Sequence, residues 1–248
     1  MRVLCVSDLH IAGPDCPRQR AFLAFLAALA EEGNVDQLCL CGDVFQHWWH
    51  WPGSEGLVPL PQYAEVVDAL RPFLPGRLVV LPGNHDWHVH EFFGALGATI
   101  PGDEGAVRAE WAGRRVLLAH GDQADVSVGY AALSALLRGS AFRAFVNAMS
   151  PGRAWRFLAW LAGHGEVREN SALIAAQVAW ASRQPDDVVI YGHTHAPALL
   201  RVPRPEKPDQ IVVNIGDGVT HGTFVAFDSA LDDPLQIREF ASPLHPRA

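Results

Sequence analysis

Positive charge is in short supply in this sequence. Lys and Arg number 19 against 27 Asp and Glu, a formal balance of -8 at pH 7. That deficit argues against nucleic acid as the main partner, because phosphate backbones are held by surplus Lys and Arg. It leaves room for a small anion at a locally positive site. Cysteine is also scarce. Cys5, Cys16, Cys39 and Cys41 are the full set, and no pair has the spacing of a thiolate metal site. Free thiols, mostly buried, in a reducing compartment are expected. Long apolar runs are missing: "AFLAFLAALA" stops at ten residues, where a membrane-spanning helix needs about 18 or more. The opening "MRVLCVSDLHI" is broken by Asp8 and His10, so it predicts no signal peptide. Charged residues of both signs make up only 19% of the chain and hydrophobic ones 49%, which excludes general disorder. At 248 residues the chain can bury a real core without staples.

The order of elements predicts an α/β fold. "RVLCVSD" and "DQLCLCGD" read as strands that each end in an acid, "GRLVVLPGNHD" as a third, and Ala/Leu-rich or apolar-periodic helices separate them. The first helix should end at Gly33. Such a series predicts parallel pairing with helices outside and ligands beyond the carboxyl ends of the strands. Downstream, "AVRAEWAGRRVLLAHGD" predicts a hairpin turning near Gly113, and "DDVVIYGHTH" a strand with a polar tail. "APALLRV" and "QIVVNIGDG" predict a second hairpin across a surface loop "PRPEKPD", followed by two late strands and a frayed end "SPLHPRA". Residues of about 123–170 are helical in pattern, with Ser150 and Pro151 suited to open the last of those helices and Gly163 to end it. They are expected as an insertion within a single domain spanning 1–248.

The polar strand ends carry the chemistry. They hold Asp8 and His10, Asp43, Asn84 with His85 and Asp86, His120, and His193 with His195. Five strand ends with carboxylate, amide or imidazole are hard to explain as packing, because unpaired buried polar groups cost several kcal/mol, about 2–7 each. Metal ions satisfy them together. If the chain stays extended, Asp8 and His10, or His193 and His195, lean toward one site. Gly42, Gly83, Gly121 and Gly192 allow tight turns or close approach there.

This set resembles the calcineurin-like metallophosphoesterases, whose pattern runs D-x-H, GD, GNH[DE], H and GH-x-H. All five blocks are present in order. The resemblance implies a four-layer α/β/β/α sandwich with a helical lid insertion. It implies that Asp8, His10 and His195 hold one divalent ion, that Asn84, His120 and His193 hold the other, and that Asp43 bridges them. Manganese is the expected metal, with iron or zinc also suiting mixed oxygen and nitrogen ligands. Two divalent ions bring four positive charges, and Asp8, Asp43 and a hydroxide return three, so an anionic phosphate is attracted on a protein that is acidic overall. His85 is implied to face the phosphate as a catalytic group, oriented by Asp86.

Two further segments narrow the substrate. "GDVFQHWWHW" leaves the sheet at Asp43, so Trp48 and Trp49 are expected near the site entrance. Between Val126 and Gly163 stand Arg138, Arg143, Arg153 and Arg156 with no Asp, Glu or Lys, among many Leu, Phe and Trp residues that include Trp155. Arginines rimming an apolar helical lid suit buried acyl chains with anionic headgroups outside, and Arg153, Arg156 and Trp155 are candidate substrate contacts. Here the sequence is similar to the UDP-2,3-diacylglucosamine diphosphatases of lipid A synthesis, on Gly42-Asp43-Val44-Phe45, His120-Gly121-Asp122, Gly192-His193-Thr194-His195-Ala196-Pro197 and Gly216-Asp217-Gly218. That family is manganese-dependent, works at the cytoplasmic face of the inner membrane and yields UMP and a lipid monophosphate. His85, Gln46 and Gly218 depart from its usual Arg, Glu and Trp. A soluble nucleotide phosphodiesterase or pyrophosphatase, or a phosphoprotein phosphatase, would use the same ligand set. A non-enzymatic scaffold would not need all seven ligands.

Overall fold

The computed structural model of the chain describes residues 1–102, 105–125, 128–162 and 171–240. In chain order its elements are β1 (Arg2–Val6), α1 (Pro17–Glu32), β2 (Gln37–Cys41), β3 (His50–Gly53), β4 (Gly56–Pro59), α2 (Ala64–Leu70), β5 (Leu78–Leu81) and α3 (Val89–Ala95). Then come β6 (Ala106–Trp111), β7 (Arg114–Ala119), α4 (Val128–Arg138), α5 (Ser140–Asn147), α6 (Pro151–Ala162) and α7 (Ser171–Ser182). The last strands are β8 (Val188–Tyr191), β9 (Ala198–Arg204), β10 (Lys207–Asn214), β11 (Thr223–Asp228) and β12 (Leu235–Glu239).

Two five-stranded sheets stack face to face, one ordered β12-β11-β1-β2-β5 and the other β6-β7-β8-β10-β9. β1, β2 and β5 are mutually parallel, as are β7, β8 and β10. The period-two alternation of each strand assigns its layers. Val3, Cys5, Cys39, Cys41, Val79 and Leu81 meet Val116, Leu118, Val188, Ile190, Ile211 and Val213 between the sheets. Leu4, Val6, Leu38, Leu40, Leu78 and Val80 face outward against Phe22, Leu26 and Leu29 of α1, Val66 and Leu70 of α2, and Phe92 and Phe93 of α3. On the far side Leu117, Val189 and Val212 pack against Ala181 of α7. The result is the expected α/β/β/α sandwich. All four cysteines are free, three of them between the sheets.

Local signals explain the boundaries. Pro17 opens α1, and Gly33 closes it at φ 63° with its N–H bonded to Leu29 O at 3.2 Å. The β6–β7 hairpin turns on Ala112 and Gly113, both left-handed, as a two-residue loop requires. The β9–β10 hairpin differs from expectation. The "PRPEKPD" stretch is mostly strand, with Arg204 paired to Lys207 across Pro205 and Glu206. Proline is tolerated because β9 is an edge strand and Pro208 falls at a register irregularity. The small β3–β4 hairpin was not foreseen either, since its aromatic start hides any alternation.

Among the described residues four α-helices, α4 to α7, separate β7 from β8. Val146, Ala154 and Leu158 of α5 and α6 join the core over the first sheet, whereas α7 starts past the expected limit of the insertion and forms the outer layer of the second sheet. Pro151 begins α6, as read from the sequence, and Ser150 O accepts from Arg153 N at 2.9 Å and Ala154 N at 3.0 Å. Gly163 and the end "SPLHPRA" lie outside the described residues. Among the described residues no helix is long and apolar enough to cross a membrane.

Candidate metal centre

Parallel pairing sends the carboxyl ends of β1, β2 and β5 to the same rim as those of β7 and β8. Asp8 follows β1, Asp43 follows β2, Asn84 and His85 follow β5, His120 follows β7, and His193 and His195 follow β8. The donor atoms of Asp8, His10 and His195 lie within 4.8 Å of one another, and so do those of Asp43, His120 and His193 and those of His10, Asp43 and His85. Asp43 stands between the groups: its Oδ2 is 4.0 Å from Nε2 of His10 and 3.4 Å from Nε2 of His120. Oδ1 of Asn84 is 3.1 Å from that same nitrogen of His120.

The side chains do not converge by extended alternation, as the i, i+2 spacing had suggested. Asp8, His10, Asp43, His193 and His195 all have positive φ, between 46° and 74°. A left-handed residue reverses the direction of its side chain relative to a strand, and for a non-glycine it costs about 1–3 kcal/mol. The backbone is held there by hydrogen bonds from Asp8 N to Gly42 O (3.1 Å), His10 N to Asp43 O (3.0 Å) and His193 N to Asp8 Oδ2 (2.9 Å). Glycine makes the crowding possible. A Cβ on Gly83 would fall 2.1 Å from Asp43 Oδ1, and one on Gly192 2.2 Å from Asp8 Oδ2.

Hydrogen bonds fix the imidazole protons on the outside of this cluster. Nδ1 of His195 donates to Asp217 Oδ2 at 2.9 Å, and Nδ1 of His120 donates to the carbonyl of Cys41 at 3.0 Å. In the neutral rings, both Nε2 atoms therefore point lone pairs inward. There the carboxylate oxygen Asp8 Oδ1 and the ring nitrogen His10 Nε2 stand 3.3 Å from Nε2 of His195. A buried convergence of lone pairs and carboxylates needs cations or protons to be stable. Burial favours neutral rings, yet Asp43 and Asp8 hold the pKa of His120 up, and Asp217 and Asp8 hold that of His195 at about 10. Neutral imidazoles, carboxylates and one amide are a donor set suited to divalent transition ions.

His85 and Asp86 divide their tasks differently from expectation. Asp86 is fully buried and accepts from the backbone N–H groups of Gly83 (2.8 Å), Asp43 (3.1 Å) and Phe45 (3.2 Å). It ties two loops together and does not orient His85. Burial, reinforced by Asp43, pushes its pKa up to about 7. The His85 ring donates instead through Nδ1 to the carbonyl of Gln46 at 3.1 Å, while its backbone N–H donates to Asp43 Oδ1 at 2.7 Å. Its ring stands edge-on to His10, with centroids 4.7 Å apart.

A cavity of about 270 Å³ opens beside this centre, lined by His47, Trp48, Asn84, His85 and Trp87 on the body, and by Leu133, Ser134, Leu137, Leu158, Leu161 and Ala162 of α4 and α6. Of the substrate contacts expected from the sequence, Trp48 reaches it. Trp49 does not: it is buried, donates to Asn147 Oδ1 at 2.9 Å and stands edge-on to Phe142, so it fastens α5 to the body. Trp155 packs on His47 and Tyr63, while Arg153 and Arg156 are exposed on α6. Arg138 and Arg143 pair with Asp122 and Glu91 of the body. Two supporting groups escaped sequence reading. Asp217, seen there only as part of a "GDG" run, is fully buried beside His195. Gln177 of α7, also fully buried, bonds Gly121 O (3.1 Å), Gly192 O (3.3 Å) and the Thr194 hydroxyl (2.6 Å).

The model of the calcineurin-like phosphoesterases matches residues 1–197, most of the chain and every ligand position. The chain belongs to the calcineurin-like phosphoesterase family. A UDP-2,3-diacylglucosamine hydrolase of Bordetella parapertussis is 32% identical over 206 residues, covering 77% of this chain and 76% of that protein. One from Ectopseudomonas mendocina is 28% identical over 241 residues, covering 91% and 94%. Among solved structures, an archaeal phosphodiesterase aligns with TM-score 0.49 at 15% identity over 96% of this chain and 99% of its own. As a member of the family, the protein is a metal-dependent phosphoesterase, and the clusters just described are those able to hold its ions.

Proposed function

We propose that this phosphoesterase cleaves the diphosphate of UDP-2,3-diacylglucosamine to UMP and a lipid monophosphate at a pair of divalent ions, with manganese as the native metal. The observation that carries this reading is the cavity. The same space is lined by Asn84 and His85 of the centre and by Leu133, Leu137, Leu158 and Leu161 of α4 and α6. A nucleotide alone has no use for such a wall, whereas burying hydrocarbon contributes about 0.8 kcal/mol per CH₂. The relatives named above support the same substrate.

In this reading Asp8, His10 and His195 would hold one ion and Asn84, His120 and His193 the other, with Asp43 serving both. The ions would supply Lewis acidity and an activated water. The chain supplies the rest. Asp217 and the Cys41 carbonyl hold the Nδ1 side of two ligand rings, so that Nε2 of each is aimed at the centre. His85, fixed at Nδ1 through Gln46, would act in its doubly protonated form, its Nε2–H hydrogen-bonding the phosphate and passing that proton to the departing oxygen. The apolar wall formed by α4 and α6 excludes water around the acyl chains. Leu136 of α4, Phe145 of α5 and Trp160 of α6 are exposed, as are Arg153 and Arg156 of α6, and in this reading they would meet the membrane that carries the substrate. Vesicle sedimentation tests that surface: the double variant R153E/R156E should lose binding to anionic vesicles, and unchanged binding would discard it.

The decisive comparison is kinetic. UDP-2,3-diacylglucosamine should be hydrolysed with a far higher kcat/KM than UDP-N-acetylglucosamine, which keeps the diphosphate and the uridine but lacks the chains. Equal values, or a preference for the short substrate, would replace this reading with that of a soluble nucleotide hydrolase.

A further inference from the structure

His47 has no task in the site as described so far. It sits on the loop between Asp43 and Trp48, is only 4% exposed, and lines the cavity beside Asn84 and His85. Neither Nδ1 nor Nε2 has a hydrogen-bond partner within the protein. Its neighbours explain why. The Trp155 ring packs against it with centroids 4.4 Å apart and offers no acceptor there, and the Tyr63 hydroxyl is committed to Ile11 O at 3.0 Å. Among the described residues it belongs to no group able to hold a metal.

A buried imidazole with two idle nitrogens is unfavourable unless something met in function satisfies it. Burial, with His85 nearby, pushes its pKa down to about 4, so the ring is neutral at neutral pH. A neutral imidazole has one N–H and one lone pair. Phosphate oxygens, being only acceptors, match half of it. The N–H and the lone pair point apart on the ring, so a single ligand group meets one of them, and a carboxamide or a hydroxyl, being donor and acceptor, can meet either. Position agrees with chemistry, because His47 lines the cavity together with Asn84 and His85 while its ring packs on Trp155 of α6, the helix that gives Leu158 and Leu161 to the apolar lining.

We propose that His47 is a substrate-binding residue, taking a carboxamide or hydroxyl of the ligand at the junction between its phosphate and its hydrocarbon. This deepens the function proposed above and rests on it for the substrate class. In that substrate the amide and ester linkages of the acyl chains occupy the junction, and the amide supplies the donor.

The test uses hydrolysis of bis-para-nitrophenyl phosphate by the metal-loaded full chain, with two competitive inhibitors. One is an N-acyl-glucosamine 1-phosphate with a long chain, the other a plain alkyl phosphate of equal length. In H47F the inhibition constant of the acyl-sugar phosphate should rise about tenfold, while that of the alkyl phosphate should hold. H47Q, which keeps a donor and an acceptor, should restore it. Free H47F should also melt about 2–4 °C higher than wild type, because an idle polar group has become apolar. The proposal is overturned if the acyl-sugar phosphate fails to inhibit wild type, if both inhibitors weaken alike or neither does, or if H47F melts lower. Should the inhibitor pattern hold while UDP-2,3-diacylglucosamine is not cleaved, the substrate assignment fails and the role of His47 stands.

Discussion

Oδ2 of Asp217 lies 2.9 Å from Nδ1 of His195, and the opposite nitrogen of that ring lies 3.3 Å from Oδ1 of Asp8. The carboxylate comes from the loop after β10 and the imidazole from the loop after β8, so two neighbouring strands set one ligand. Asp217 also accepts from the backbone N–H of Thr220 and His221, at 3.1 and 2.8 Å. Those bonds and His195 hold its pKa down to about 2 against the effect of burial. It is a fixed negative charge whose main work is to choose a tautomer.

Replacing Asp217 with Ala should free the ring and lower metal affinity or turnover about 10–100-fold. Asn can still accept through its amide oxygen, so D217N should fall between wild type and D217A. Metal titration of the three proteins by calorimetry checks the order. Equal affinity in all three would remove Asp217 from the centre.

Asp43 should behave more severely. It is the carboxylate placed between both ligand groups, and D43A should abolish hydrolysis of bis-para-nitrophenyl phosphate with added manganese. Circular dichroism should show the fold retained, since the apolar layers do not depend on this side chain. Near-wild-type turnover would refute the assignment of the site.

His85 should separate chemistry from metal binding. H85A is expected to lower kcat about 10²–10⁴-fold while elemental analysis still finds the metal content of wild type. Loss of metal together with activity would make His85 a ligand.

Acid stability turns in part on His50. It is buried, accepts from Nε1 of Trp48 at 3.3 Å, and its pKa is lowered from 6.5 to about 4, chiefly by burial. A depressed folded pKa means that the unfolded chain binds the proton more readily. Its stabilising contribution is whole above pH 6.5 and is lost as pH falls toward 4, at about 1.4 kcal/mol per pH unit. H50Q removes the titrating group, so the difference in Tm between wild type and H50Q should shift against wild type across that window. A pH-independent difference would show that His50 is not charged on unfolding.

The strand ends were legible because metal ligands are expensive residues in an apolar chain. A carboxylate after "RVLCVS" or an imidazole after "VVIYG" stands out as a composition change, and parallel topology then dictates that such ends meet. The layers were legible for the same reason: alternation in β1 or β8 assigns each side chain a face. What the sequence did not show depends on distances across the fold. Gln177 is one polar residue in an Ala-rich helix, and nothing local marks it as the bond between Gly121 and Gly192. Asp86 adjoins His85 in sequence, yet its loop turns the carboxylate toward three backbone amides. Trp48 and Trp49 are adjacent and look alike, but one lines the cavity and the other fastens the lid. Left-handed φ at Asp8 and His10 has no signature, because neither residue type demands it.

Those five left-handed residues bear on how this protein could change over evolutionary time. Glycine would occupy any of them with less backbone cost, so the turn alone would select glycine. The chain keeps Asp or His at every one. Drift in a lineage released from catalysis would therefore run downhill, toward glycine and a more stable, inert sandwich.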